Sequence, residues 1–263
     1  MKQKFYSAFW LKHLGVYYML VASFYFALNG ALAKVMAERM SSAEIVFFRN
    51  VVGIAIVLFS LRRVKNLGPG GKPWLLAFRG FIGSCGILAT FYNIAHIDLG
   101  TAFTFQKTAP IFTALFSAFF LGEKLSSRGW FAILLGFGGI LLVVRPHIGI
   151  SVTDAVGIFG GMCAGLAYTS VRELRKHYAT NLIVLVFVSS ATFLSAMMMA
   201  AGWALGDSEV KILGLFSGAD LAKLAYFNPP SLFGWVLVAL LGVSGIYFQI
   251  YMTRAYAASR KAG

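Results

Sequence analysis

Acidic side chains are scarce in this chain: nine Asp and Glu stand against 23 Lys and Arg in 263 residues. Charged residues of both signs make up 12%, half of the ~25% of an ordinary soluble domain. Pro, Ser and Gln are too few for a disordered chain. Cysteine is limited to Cys85 and Cys163, both inside apolar stretches, so no disulfide framework and no Cys-x-x-Cys metal spacing can be drawn. The four histidines (His13, His96, His147, His177) are isolated, so neither a metal nor a cofactor is expected. A membrane enzyme would need clustered carboxylates, a His-rich set or a Ser/His/Asp set, and none is present. No Asp or Glu lies deep in an apolar stretch, which gives no support to a proton relay through intramembrane carboxylates.

What the chain has is apolar length. Hydrophobic residues reach 59% and aromatics 16%. They come in blocks near the ~20 residues that cross a ~30 Å hydrocarbon core as helix. Eight spans are expected, at about Leu14–Met36, Ile45–Leu61, Trp74–Ala95, Thr101–Leu121, Gly129–Val144, Ala155–Val171, Leu182–Ala204 and Ser231–Thr253. The first is too long for a signal-peptide core. A barrel would show short alternating strands instead. The fold class is therefore an all-α, polytopic bundle in a lipid bilayer. Its net charge of +14 reads as loop anchoring and not as nucleic-acid binding.

In alternate connections, fifteen Lys and Arg fall on one side and four on the other, which places the N-terminus in the cytoplasm and the chain in the cytoplasmic (inner) membrane. The long connection Leu205–Pro230 falls on the opposite side. It is expected to be a surface loop, with a short interfacial helix as the alternative.

The chain also repeats itself weakly. Leu28–Lys34 aligns with Leu166–Arg172, and Phe91–Ala95 with Tyr251–Ala255, so spans one to three correspond to spans six to eight. The unit is then five spans, with a first copy over 1–150 and a second, incomplete copy over 151–263. An odd unit inverts the second copy in the membrane. That is a recurrent plan of secondary transporters, with substrate near the midplane and alternating access. The repeat expects ten spans, about 40 residues more than are here. The chain is either shortened or an eight-span variant, and its tail, which matches a linker inside the repeat, favours the former.

Asn29-Gly30-Ala31 with Lys34, then Arg49, Phe91-Tyr92 and Ala95, Ala102, Pro110–Ser117, Gly122-Glu123-Lys124 and the Gly-rich run Gly136–Leu142 resemble the drug/metabolite transporter superfamily, in particular its EamA-type members. The second-repeat Pro and Gly-Glu signature is missing. The resemblance implies ten helices in two five-helix repeats around a central cavity. It implies transport of small metabolites such as amino acids, nucleotide-sugars or drugs, without naming one.

Charges inside spans cost roughly 2.5–3.5 kcal/mol each on insertion scales, so each is a candidate site. Lys107, beside Gln106 and a turn before the helix-kinking Pro110, suits an anion; the alternative is snorkelling or pairing with a carbonyl. Arg49, next to Asn50, could clamp a carboxylate or phosphate, or pair with Glu44. Lys34 and Arg79 lie nearer span ends, which favours snorkelling. Asn29, Tyr92, Asn93 and Tyr168 are candidate cavity residues, or interhelical glue. Glu123 is expected to act in structure or gating. Gly157, Gly161 and Gly165, four apart on one face, are expected to admit a close helix, or to hinge. The intramembrane charge being wholly positive, the expected substrate is a small metabolite with at least one negative group, such as an amino acid. The alternatives are a lipid or glycolipid flippase of the same architecture or, with less support, an enzyme or receptor subunit. Homo-oligomerisation is left open.

Overall fold

The computed structural model describes residues 14–62, 67–122, 126–144, 151–205 and 226–258. Among these are nine α-helices: α1 Leu14–Met36, α2 Ser42–Leu61, α3 Pro73–His96, α4 Leu99–Gln106, α5 Ala109–Leu121, α6 Ser127–Val144, α7 Val152–His177, α8 Thr180–Leu205 and α9 Leu232–Ala258. α1, α2, α3, α8 and α9 are long and apolar enough to cross a membrane. The sixth span, α7, has the length, at 26 residues, but carries small and polar side chains inward and ends in Arg175, Lys176 and His177. The chain is a multi-pass membrane protein. The stretch 206–225, where an interfacial helix is an alternative to a loop, lies outside the described residues.

The fourth span is two helices. Pro110 has no N–H to give the carbonyl four residues earlier. The backbone therefore turns at Lys107 and Thr108, where Lys107 N–H is shared between Phe103 and Thr104 carbonyls. Within this turn the Phe105 carbonyl accepts from both the Thr108 backbone N–H, at 3.0 Å, and the Thr108 hydroxyl, at 2.7 Å.

Helix pairing is ordered. α1 packs on α9 and α3 on α7; α2 packs on α8; α2 also meets α9, and α3 meets α8. Exchanging α1, α2, α3 with α7, α8, α9 returns the same set of pairs. Small residues make these crossings close. A Cβ on Gly86 of α3 would stand 3.2 Å from the Cys163 Cβ and 3.3 Å from the Gly160 carbonyl of α7. The stripe Gly157, Gly161, Gly165 on α7 takes Phe105, Thr108 and Phe112, so the broken fourth span lies in that groove.

Both ends of the bundle are latched. On the near face, where α1 begins, the connection before α3 grips the α7–α8 turn. Gly70 N–H donates to the His177 carbonyl at 3.0 Å and Ala179 N–H to the Leu67 carbonyl at 2.9 Å. Lys72 Nζ pairs with Glu173 at 2.8 Å, and Lys176 bonds the same carboxylate. On the far face the connection before α9 grips the α1–α2 turn. Asn228 Nδ2 donates to the Arg39 carbonyl at 2.8 Å, and its backbone N–H to Glu44 Oε2 at 3.3 Å. The two latches are counterparts under the same exchange of helices.

Glu173 lies beyond the apolar part of α7. Hydrogen bonds from Lys176 and Lys72 hold its carboxyl down at about 2. A carboxylate stabilised in this way contributes above its unfolded-state range and is lost as pH falls toward 2. Glu173→Gln should therefore loosen the near latch at pH 7. Hydrogen exchange at the Gly70 and Ala179 amides is expected to quicken about tenfold, with α9 amides unchanged, and unaltered exchange would count against the latch.

Candidate functional site

Between α1, α2, α3, α4, α7, α8 and α9 lies a cavity of about 40 Å³, room for a water or two. Its lining includes Asn29, Arg49, Arg79, Thr90, Gln106, Tyr168 and Gln249, with Phe26, Phe91, Phe187 and Phe248 as apolar walls. Phe26, Gln106, Tyr168 and Phe248 also line a second chamber of about 250 Å³, beside the fourth-span break. The two spaces share these four side chains as a partition. Together they approach the lower end of the ~300–1,000 Å³ usual for small-molecule sites.

Two arginines dominate the inner cavity. Arg49 and Arg79 are each 2% exposed. The Arg49 guanidinium lies 5.2 Å from the Phe91 ring centroid, and the Arg79 guanidinium 4.8 Å from that of Phe187. Nε and Nη1 of both have no hydrogen-bond partner among the described residues. Gly83 lies one turn from Arg79, and Gly245 of α9 faces Arg49; a Cβ at either would strike the guanidinium. Glu44, a candidate partner for Arg49, turns to Asn228 instead. Tyr168 lies within electrostatic range of both arginines and stacks on Tyr256, with centroids 4.7 Å apart.

The position of Arg79 near a span end suggests a side chain reaching the interface. The structure corrects this: Arg79 is buried on the cavity. The readable signal is spacing, since Arg79, Gly83, Gly86 and Thr90 share one face of α3, and a glycine face is a packing face. Gln249 and Thr90 are also cavity residues without a sequence flag. Gln106 donates to the Thr90 hydroxyl at 3.0 Å, leaving its own carbonyl oxygen unpaired, as is that of Gln249.

The remaining candidates are spread out. Asn29 lines the cavity but ties α1 to α9, donating to the Leu241 carbonyl at 2.9 Å and to Ser244 Oγ at 3.1 Å. Lys107 is exposed in the second chamber, its ammonium 5.7 Å from the Phe26 centroid, and Pro110 lies beside it. Asn93 clasps the start of α7 through the Thr153 carbonyl at 3.0 Å. Tyr92 stacks on His96 and borders a groove on the outside of the bundle. Asn50 is buried away from the lining, its Nδ2 unpaired among the described residues. Lys34 neither snorkels nor faces the cavity: it donates to the Ile94 and Ile97 carbonyls, both at 2.8 Å, and so caps the C-terminal end of α3. Glu123, with Lys124, lies outside the described residues.

A site built this way, with donors and two fixed positive charges inside an apolar bundle, is suited to holding a ligand. The model of the EamA-like transporter family matches residues 13–145. The pseudopaline exporter CntI of Pseudomonas aeruginosa (strain UCBPP-PA14) is 31% identical over 245 residues, 92% of this chain and 78% of that protein. The human solute carrier family 35 member G1 is 26% identical over 252 residues, 92% and 65% of the two chains. The S-adenosylmethionine uptake transporter of Rickettsia prowazekii is 20% identical over 243 residues, 92% and 75% of the two. The chain belongs to the EamA-like transporter family.

Proposed function

We propose that this protein carries a small anionic or zwitterionic metabolite across the cytoplasmic membrane by alternating access. The observation that carries the reading is the pair of buried arginines without acidic partners, facing one cavity between the helices. The self-exchanging helix pairs and the matched latches at the two faces support a two-repeat rocking mechanism, with copies over 1–150 and 151–263. Access from either face would require its latch to open. The Lys and Arg bias makes the near face cytoplasmic. Among the relatives are both an exporter and uptake transporters, so family alone does not give direction.

The test is accumulation of a labelled metabolite panel in cells and in proteoliposomes holding the full chain, against empty controls. Acidic and zwitterionic solutes should move and equally small cations should not. Selective movement of cations, or of lipid-linked sugars only, would overturn the reading.

A further inference from the structure

The charge pattern of the cavity narrows the cargo further. Among the described residues the carboxylates are those of Glu38, Glu44, Asp98, Asp154 and Glu173, none of them lining the cavity. Glu173 makes the ion pairs that are seen, all at the near latch. Arg49 and Arg79 therefore share no counter-charge from the described chain. A guanidinium does not escape by losing its proton, and leaving one buried and unpaired is strongly unfavourable.

The two arginines also enter the bundle from opposite faces. Arg49 is the eighth residue of α2 and Arg79 the seventh of α3. Consecutive spans run in opposite directions. At ~1.5 Å per residue, each Cα lies roughly 10 Å from its own helix start, on opposite sides of a ~30 Å core. That leaves the two Cα levels about 10 Å apart. One carboxylate can fill one guanidinium fork. It leaves the other arginine as it was.

Resting on the transport reading above, we propose that the cargo carries two separated anionic groups, one for Arg49 and one for Arg79, joined by a short spacer. Each fork takes a carboxylate or phosphate bidentately, with Nε as one of its two donors. Phe91 and Phe187 back the forks and exclude water. Between them Tyr168 offers a hydroxyl, and Gln106 and Gln249 offer unpaired carbonyl oxygens, so a hydroxyl or ammonium on the spacer finds an acceptor. A dianion neutralises the site, and a monoanion leaves one buried charge exposed to no partner.

The experiment is equilibrium binding to the full chain in nanodiscs, using dicarboxylates of three to six carbons, monocarboxylates of matched length and inorganic phosphate. At least one dicarboxylate is expected to bind tenfold or more tighter than its monocarboxylate. Arg49→Gln and Arg79→Gln should each reduce that preference to within threefold, and Arg49→Lys and Arg79→Lys should restore part of it. Melting of the ligand-free glutamine variants at or above wild type is expected, because an uncompensated charge is removed; a large fall in both would assign the arginines to the fold and overturn the proposal. So would equal binding of mono- and dicarboxylates, tighter binding of phosphate alone, or a preference that survives either glutamine variant. If monoanions move in the panel assay and dianions gain nothing, this inference fails and the transport reading stands. If neither an anion nor a zwitterion moves, both fail.

Discussion

Arg79→Gln is expected to lower transport at least a hundredfold, with Arg79→Lys keeping a tenth or so of wild-type activity. Removing one member of a desolvated, hydrogen-bonded charge pair costs about 2–5 kcal/mol. Some 2.7 kcal/mol is already a hundredfold in an equilibrium constant. The Arg79 guanidinium is fixed by Phe187 on one side and by the absence of a Cβ at Gly83 on the other, so it meets a ligand already oriented. Lysine keeps the charge but not the planar fork or the stacking on the ring. The measurement is initial uptake or efflux rate at equal surface amounts, with solubilised melting as the check on folding. Undiminished transport by Arg79→Gln at normal abundance would remove the arginine from the site. Lys107→Gln is a useful contrast. Its side chain is exposed in the outer chamber, so a loss of threefold to tenfold is expected, read mainly as weaker apparent affinity.

The sequence carries the span positions well because bilayer thickness sets a length that composition must meet. α1 matches its expected bounds at both ends, and α3 and α8 come within two residues. The fourth span shows where composition is blind. Its expected run passes straight through Gln106-Lys107-Thr108, and Pro110, through the hydrogen bond it cannot make, announces two helices. α7 shows the converse. Its Gly, Ser and Thr lower its hydropathy because they face neighbouring helices, so a span packed closely by protein looks little like a span.

The site was harder to read. Arg49 and Tyr168 stand out as polar groups in apolar context, and the fold brings them to one cavity. Arg79 does not stand out, because distance from a span end says nothing of which way the helix face turns. Lys107 stands out for the opposite reason: the kink that makes it conspicuous in sequence also swings it out of the arginine cavity and into the adjoining chamber. Lys34 looks like an interface lysine, and only the three-dimensional meeting of α1 with the end of α3 shows two backbone carbonyls waiting for it. Interhelical partners some sixty residues away are not encoded in local periodicity.

The second large effect is expected at a residue with no polar chemistry. A Cβ at Gly165 would stand 2.5 Å from the Phe112 Cβ, and 3.1 Å from both the Phe112 carbonyl carbon and the Thr113 nitrogen. Two of those three atoms are backbone, so no rotamer change relieves the clash and the helices must part. Overpacking a well-filled core typically costs 1–3 kcal/mol. Here α5 would also lose its hold on α7, where Thr169 Oγ1 donates to the Thr113 carbonyl and Thr113 Oγ1 to the Gly165 carbonyl, both at 3.4 Å. Gly165→Leu should therefore sit at the upper end, about 3 kcal/mol. At ~2–4 °C per kcal/mol for a chain of this size, that is a fall of roughly 6–12 °C in melting temperature. Gly165→Ala should fall between. Transport is expected to drop to background in the leucine variant, because the partition residue Tyr168 hangs from α7 and Gln106, the last residue of α4, is joined to α5 through the break. Gly138 and Gly139 of α6 supply the control: nothing lies within 4 Å of a Cβ at either, so Gly138→Leu should melt within about 2 °C of wild type and transport normally. Equal melting temperatures for Gly165→Leu and Gly138→Leu would show that the α5–α7 crossing is looser than these distances require, and the groove could then not fix the depth at which the fourth span breaks.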